Sequence, residues 1–347
     1  MVQSFSVNTS RHSSGLISLL KRHSVAFWYA LTVIVPVILR TGRKPVIFDK
    51  FSGLGDIVCT IPAALELKKR HEGAPFIYNC YEGYAVLPRM GGVTTHVTTI
   101  RHIGLIKYWY RFLLGGFYNF ASDDDTPNVN HSELYIKTYG RRHGVVVKGE
   151  HPPLTVEPLV YDKLKNTLAT QSLKEHPLIV INTGPTLNVK EWPIENWTYL
   201  ISKLQERGFT NIVRIGTTQV MRYGEVVVPE IPGVVSFINK LSLEESIALI
   251  AMGDLFLGPD SGLLHCAASL KTPSVGLWGA TSPQFLFSAQ EARTFVVSRV
   301  PCQGCHHRVP LLHWDTGCPN DIACMKAITV EEVLEQCLSC LKSEKPT

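Results

Sequence analysis

Four short stretches carry the side chains that can do chemistry. In GPDSGLLHCAAS (258–269), Asp260 and Ser261 stand just before Gly262, where a helix is expected to begin, and His265 falls one turn further in. The first N–H groups of a helix have no partner within it and lie at the positive end of its dipole. Ser261 and Gly262 can therefore present donors to a phosphate while Asp260 holds sugar hydroxyls. A capping Asp260 and a core His265 account for the same stretch about as well. SGLGD (52–56) places Gly53 and Gly55 where the backbone must turn tightly or approach a ligand closely. Its Asp56 reads either as a helix cap or as a general base that accepts a proton from a bound hydroxyl. NTGPTLNVKEWP (182–193) brings Asn182, Thr183, Thr186 and Asn188 beside Lys190, a cation just ahead of a helix where an anion is favoured. IGTTQVMRYGE (215–225) adds hydroxyls and Glu225 without a sharp pattern.

Each stretch follows a short apolar run that reads as a strand. KPVIFDKF (44–51) precedes SGLGD, PLIVINTG (177–184) leads to Lys190, NIVRIGT (211–217) to Glu225, and DLFLGPD to Ser261. Helical patterns alternate with them in IVCTIPAALELKKR, IENWTYLISKLQERG and LSLEESIALIAMG. Such alternation implies a parallel α/β sheet, and ligands of such sheets bind outside the carboxyl ends of the strands. APFIYNC and THVTTI are further strand candidates, whereas Ile103 to Gly144 is irregular and aromatic-rich. Proline-dense HPPLTVEP (151–158) marks a linker, and the polar stretch up to His176 a connecting helix. The expected architecture is α/β, with two Rossmann-like domains facing a cleft. Residues 45–165 form the first domain and 166–300 the second, with an apolar, basic arm (1–44) ahead and a Cys-rich tail with a terminal helix (301–347) behind.

Three segments carry a resemblance: FSGLGDIVCTIPAALELKK, NTG…KEWPIENWTYLISKL and LSLEESIALIAMGDLFLGPDSGLLHCAASLKTPSVGLWGATSP. Together they resemble glycosyltransferase family 9, the lipopolysaccharide heptosyltransferases, over roughly residues 45 to 335. The resemblance implies a GT-B fold, an N-terminal acceptor domain, a C-terminal nucleotide-sugar domain, and inversion at the anomeric carbon without a catalytic metal. It matches Asp56 to the base and Lys190 to the donor-phosphate ligand. Asp260, Ser261, Gly262 and His265 match the donor-binding motif, with Thr183 nearby. It also makes ADP-heptose the typical donor and a lipopolysaccharide core or related lipid-linked glycan the acceptor. The chemistry is coherent: Lys190 and helix-start N–H groups meet the developing diphosphate charge, and Asp56 acts from the opposite face of the sugar. Closing the cleft excludes the water that would hydrolyse the donor. Glu225 falls later in its loop than the family's ribose-contacting acidic residue. A non-catalytic nucleotide-sugar or glycan-binding relative is the rival reading. A nicotinamide enzyme is disfavoured, since SGLGDI offers only G-x-G followed by Asp.

The net charge of +5 is not spread evenly. Arg11, Lys21, Arg22, Arg40, Arg43 and Lys44 fall in the first 44 residues, which hold no Asp or Glu, so the remainder carries −1. A near-neutral body argues against a nucleic-acid track. The arm also holds the longest apolar run, Val25 to Leu39, about 22 Å as a helix against a bilayer core of about 30 Å. It contains Pro36, expected to kink it, and no A-x-A-like cleavage site follows. The expectation is a segment lying on the cytoplasmic membrane's inner face, its basic residues on acidic headgroups. A core helix is the alternative. Cys59, Cys80 and Cys266 read as buried apolar side chains. Cys302, Cys305, Cys318 and Cys324, near His306, His307 and His313, are spaced for a structural zinc site, the alternative being reduced, packed or occasionally disulfide-bonded cysteines. No cofactor is expected for catalysis. SDDD (122–125) reads as a solvated acidic loop.

Overall fold

A computed structural model describes residues 10–120, 133–171, 173, 177–184, 188–220, 224–307 and 317–342. Thr186, His313 and residues 122–125 lie outside the described residues. The arm is a helical rod: α1 (Ser10–Tyr29) runs through a π-helical turn (Ala30–Ile34) into α2 (Val35–Thr41). Pro36 has no N–H to donate and its ring crowds the preceding turn. The widened turn just before it lets the helix continue through the proline, with a π turn beside the place where a kink was expected. One face of the rod is interior, where Ala26, Tyr29, Ala30, Ile34 and Val37 pack on Ile47, Ile77, Ile103 and Ile106. The other face leaves Leu19, Leu20, Phe27, Trp28, Leu31 and Leu39 exposed. Ser18–Thr41 is long and apolar enough to cross a membrane by length and composition, yet 28% of its most apolar window is buried in the fold.

The first sheet has β1 (Val46–Asp49), β2 (Phe76–Asn79), β3 (Val97–Thr98) and β4 (Gly116–Asn119) in the order β3-β2-β1-β4, all parallel. β4 lies in the stretch that carried no regular pattern. Around these strands lie α3 (Leu54–Arg70), α4 (Leu87–Met90), α5 (Ile106–Trp109) and α6 (Tyr135–Arg142), and α7 (Pro158–Thr170) follows the linker. The second half contributes β5 (Ile179–Ile181), α8 (Ile194–Gln205), β6 (Ile212–Arg214), the hairpin β7 (Gln219–Val220) and β8 (Gly224–Glu225), and β9 (Val235–Ser236). It continues with α9 (Leu243–Met252), β10 (Leu255–Pro259), α10 (Gly262–Ser269), β11 (Ser274–Trp278) and β12 (Val296–Val297). The second sheet runs β12-β11-β10-β5-β6-β9, again parallel.

β10 and β11 are buried at every position, the continuous burial expected of parallel strands covered on both faces. α9 opens with a capping box: the Glu245 N–H donates to Ser242 Oγ (3.2 Å) and the Ser242 N–H to Glu245 Oε2 (2.8 Å). The terminal helix Val330–Lys342 returns to the second sheet, with Val333 and Cys337 in the same buried cluster as Trp197 and Leu257. Another cluster joins the halves, uniting Phe48, Ile57 and Val58 with Phe256, Leu264 and Trp278. Cys59, Cys80 and Cys266 are buried as expected.

Candidate active site

α3 and α10 start at the carboxyl ends of β1 and β10, interior strands of their sheets, and meet first turn to first turn. A Cβ on Gly262 would lie 2.5 Å from Leu54 Cδ2 and 2.9 Å from the Gly55 nitrogen. One on Gly55 would lie 2.6 Å from His265 Cδ2. These glycines are set by contact between the two halves, a closeness that no larger residue allows. The sequence placed Gly55 at a turn or a ligand; the structure places it against His265.

Asp56 is not the cap residue. Gly53 is the N-cap of α3, and Asp56, three residues on, accepts the Gly53 N–H (3.0 Å) and the Ser52 hydroxyl (2.5 Å) through Oδ2. The half-buried carboxylate is thus held at the mouth of α3 by donors of its own loop. Asp260 is not a cap either. Ser261 takes the N-cap position of α10, and Asp260 Oδ2 accepts from Lys190 Nζ (2.5 Å) and Thr281 Oγ1 (2.7 Å). Burial pushes the Asp260 carboxyl up, but the Lys190 ammonium, the His265 ring and these two hydrogen bonds outweigh it. It therefore stays below the usual carboxylate range, ionised opposite Lys190. The pair is well shielded, with side-chain exposures of 16% for Lys190 and 6% for Asp260.

Two buried hydroxyls beside this pair lack partners among the described residues: Ser261 Oγ, at the mouth of α10, and Thr183 Oγ1, just beyond β5. Buried polar atoms are ordinarily hydrogen-bonded, so unsatisfied hydroxyls next to an ammonium and a helix start suit an oxygen-rich ligand. Asn182 is spent internally, donating to the Ile215 carbonyl (3.1 Å). Glu225 is exposed on the β7–β8 hairpin.

Sequence reasoning missed three residues, Lys50, His151 and Glu291. Lys50, fully buried just after β1, donates to the Phe120 carbonyl (3.0 Å) and the Tyr139 hydroxyl (2.9 Å). His151, in the proline-dense linker, stands between Glu291 and His265: its Nδ1 is 2.9 Å from Glu291 Oε1, and its Nε2 is 2.7 Å from His265 Nδ1. Nothing local marked them, because their partners lie from 70 to 140 residues away. Cys59 Sγ lies 3.7 Å from the same His265 nitrogen, so Cys59, His151 and His265 form a compact group of metal-ligand types. The His–His separation of 2.7 Å is that of a hydrogen bond. Two nitrogens sharing a tetrahedral zinc would stand about 3.3 Å apart, given zinc–nitrogen bonds of about 2.05 Å.

The tail cysteines do converge. Cys302, Cys305, Cys318 and Cys324 line a cavity of about 30 Å³ with Val189, Ala280, Pro319 and Asn320. Burial, then the neighbouring Cys302, Cys305 and Cys318, push the Cys324 thiol up to about 11. A cation in the cavity would reverse that preference and hold the sulfurs as thiolates. His307 instead accepts the Ser282 N–H at its Nε2 (3.0 Å).

Two parallel sheets confronting each other through helix starts, with a charged pair on one side and a held carboxylate on the other, define a GT-B-type transferase architecture. Residues 149–313 match the profile of Glycosyltransferase family 9 (heptosyltransferase). Lipooligosaccharide heptosyltransferase 2 of Haemophilus influenzae is 29% identical over 42% of this chain and 44% of that protein, so the match spans less than half of that relative. Lipopolysaccharide heptosyltransferase 1 of Salmonella typhimurium is 23% identical over 69% of this chain and 89% of that protein. The dodecameric iron-containing heptosyltransferase TibC of enterotoxigenic E. coli, solved with ADP-D-beta-D-heptose, superposes with a TM-score of 0.65 at 19% identity, covering 86% of this chain and 76% of TibC. The chain is thus similar to glycosyltransferase family 9 over residues 149–313, and its fold is that of solved heptosyltransferases.

Proposed function

We propose that the chain transfers a heptose-like sugar, with inversion, from ADP-heptose to a lipopolysaccharide core or related lipid-linked glycan. The observation that carries this reading is the ionised Lys190–Asp260 pair beside two unsatisfied hydroxyls, at a helix start that faces the Asp56 loop. The relatives named above as heptosyltransferases, and the ADP-heptose bound to TibC, support the choice of donor.

In this reading residues 166–300 hold the donor and 45–165 the acceptor. Lys190 and the first N–H groups of α10 take the diphosphate, whose negative charge grows as the sugar–phosphate bond breaks. Thr183 and Ser261 bond its oxygens, and Asp260 aims Lys190. Asp56 accepts the acceptor hydroxyl's proton as the oxygen attacks from the face opposite the diphosphate, which inverts the anomeric centre. The contact between Gly55 and Gly262 keeps water out during the step.

The exposed face of α1 and α2, with Lys21, Arg22, Arg40, Arg43 and Lys44, lies on the cytoplasmic leaflet in this reading. Trp109, beside His23 and Phe27 in a shared surface pocket, extends that face. The four tail cysteines hold a structural ion, zinc or iron, since four thiolates suit either and the cavity takes a single ion. Metal analysis of the purified chain and of Cys302→Ser decides that point: stoichiometric metal lost in the variant is the expected result. The function itself is tested by incubating the chain with a panel of nucleoside-diphosphate sugars and heptose-deficient lipopolysaccharide, following glycan mass. A mass gain of one heptose is expected with ADP-heptose. Binding without transfer or donor hydrolysis would make the chain a non-catalytic nucleotide-sugar binder.

A further inference from the structure

We propose that His151 and Glu291 are positioning residues for the donor site: they fix the tautomer and orientation of His265, so that its Nε2 meets a sugar hydroxyl as a hydrogen-bond acceptor. The inference rests on the donor-site reading above. The His151 side chain is fully buried on the segment joining the two sheets. Its backbone N–H and its Nδ1 each lie 2.9 Å from Glu291 Oε1, while the Ser288 N–H and hydroxyl hold Oε2 at 2.8 Å. Burial pushes the Glu291 carboxyl up, but the hydrogen bonds from His151 and Ser288 outweigh it and hold it at about 2.

The proton positions follow from the network. An ionised carboxylate only accepts, so His151 carries a proton on Nδ1. With that one proton on His151, its Nε2 is an acceptor, and His265 Nδ1, at 2.7 Å, donates to it. Burial pushes the His265 ring down to about 3, so it is neutral and holds one proton only. With that proton on Nδ1, Nε2 is a bare lone pair.

The edge carrying that lone pair lies against the start of α3, in the loop that holds Asp56. A Cβ built on Gly55, the residue before Asp56, would lie 3.1 Å from His265 Nε2. The ring cannot easily turn away, because Phe287 stacks on it with centroids 4.7 Å apart and also sits 4.6 Å from His151. A neutral acceptor at the mouth of α10 adds no positive charge for the diphosphate, which is left to Lys190 and the helix. His265 therefore reads the sugar rather than the phosphate. The relay also ties the linker to the donor half, while Cys59 of α3 touches the same ring at 3.7 Å.

The test uses the full chain with ¹⁵N-labelled imidazoles and long-range ¹H–¹⁵N spectra. In the wild type, His265 is expected to show a protonated Nδ1 and a bare Nε2; the reverse pattern overturns the proposal. His151→Phe keeps a ring in the packing but removes the acceptor, and His265 should shift toward the Nε2–H form. Affinity for the sugar nucleotide should then fall about 10- to 100-fold, the effect of leaving a buried polar group unmatched. Affinity for ADP should hold. His151→Gln, whose amide oxygen can accept from Nδ1, should restore much of the loss. Glu291→Gln leaves both rings in place and should mix the tautomers, which covers the case that His151→Phe fails to fold. Equal losses for ADP and sugar nucleotide would mean a merely structural role and overturn the proposal. A wild type that binds no sugar nucleotide would sink the donor-site reading instead, while the spectra still decide the tautomer.

Discussion

Replacing Lys190 by alanine strips the counter-ion from a carboxylate that is almost out of water. Asp260 keeps the Thr281 hydroxyl at 2.7 Å but loses the 2.5 Å ion pair. Removing one partner of a buried pair costs about 3–5 kcal/mol. Lys190 retains some contact with water, and the start of α10 still favours an anion, so the expected cost is the lower end, about 3 kcal/mol at pH 7. The pH dependence gives the sharper signature. In the wild type the folded carboxyl lies below its unfolded value, so its contribution is present above about pH 3.9 and fades as pH falls through the folded value. In the variant, burial, the largest influence on this carboxyl, outweighs the Thr281 hydrogen bond that remains and lifts the folded value above the unfolded one. The charge then opposes folding at neutral pH, and protonation relieves it. The stability gap should be widest at pH 7 and shrink as pH falls toward 4. Urea unfolding at both values, with calorimetric binding of ADP and of adenosine, checks this. ADP affinity should fall about 10- to 100-fold, the loss of one charge-assisted hydrogen bond, while adenosine binding holds. A gap unchanged between the two pH values, or undiminished ADP affinity, would refute the argument.

Asp56→Asn should cut transfer about 10²- to 10⁴-fold in a mass-based assay, the usual worth of a general base, with donor affinity retained. Gly262→Ala should reduce transfer more than ADP affinity, because its methyl meets the Gly55 backbone nitrogen at 2.9 Å as well as Leu54 and parts the two helix mouths; steady-state rates beside ADP calorimetry measure this. Trp28→Asp with Leu31→Asp should abolish co-flotation with anionic vesicles while leaving the melting temperature within a few degrees, since both side chains face outward. Deletion of residues 1–44 is a poorer probe. It would uncover Ile47, Ile77, Ile103 and Ile106, each worth about 1.5–3 kcal/mol when buried, and so confound release from membranes with unfolding.

The alternation of apolar runs and helical patterns was enough to read two parallel sheets, and the strand ends named Asp56, Lys190 and Asp260 as residues of interest. The sequence could not reveal which partner each would take. Which partner Asp260 takes depends on a loop 70 residues away, and the local preference for Asp at helix starts left the cap and the ligand-holding role equally open. β4 escaped because GFYN has neither alternation nor length. His151 escaped because an isolated histidine beside two prolines carries no period, and its neighbours come together only once both halves are packed. Gly55 was marked as a place of tight turning or close approach to a ligand and Gly262 as a helix-start donor, but what lies against both is the other half of the molecule. The convergence of the four cysteines was legible in outline from their spacing alone.

The rod formed by α1 and α2 has one further consequence. Its inner face is core, and Tyr29 hydrogen-bonds Thr98 (2.8 Å), which bonds Asn79 (2.9 Å), which in turn bonds Asp49 (2.7 Å) at the end of β1. From the exposed apolar face to the strand that launches the Asp56 loop, every link is a packed or hydrogen-bonded contact. A flexible tether would leave the direction of the cleft to thermal averaging. Here the bearing and height of the cleft above whatever plane the rod meets belong to the fold itself, as rigidly as the register of β1 against β2.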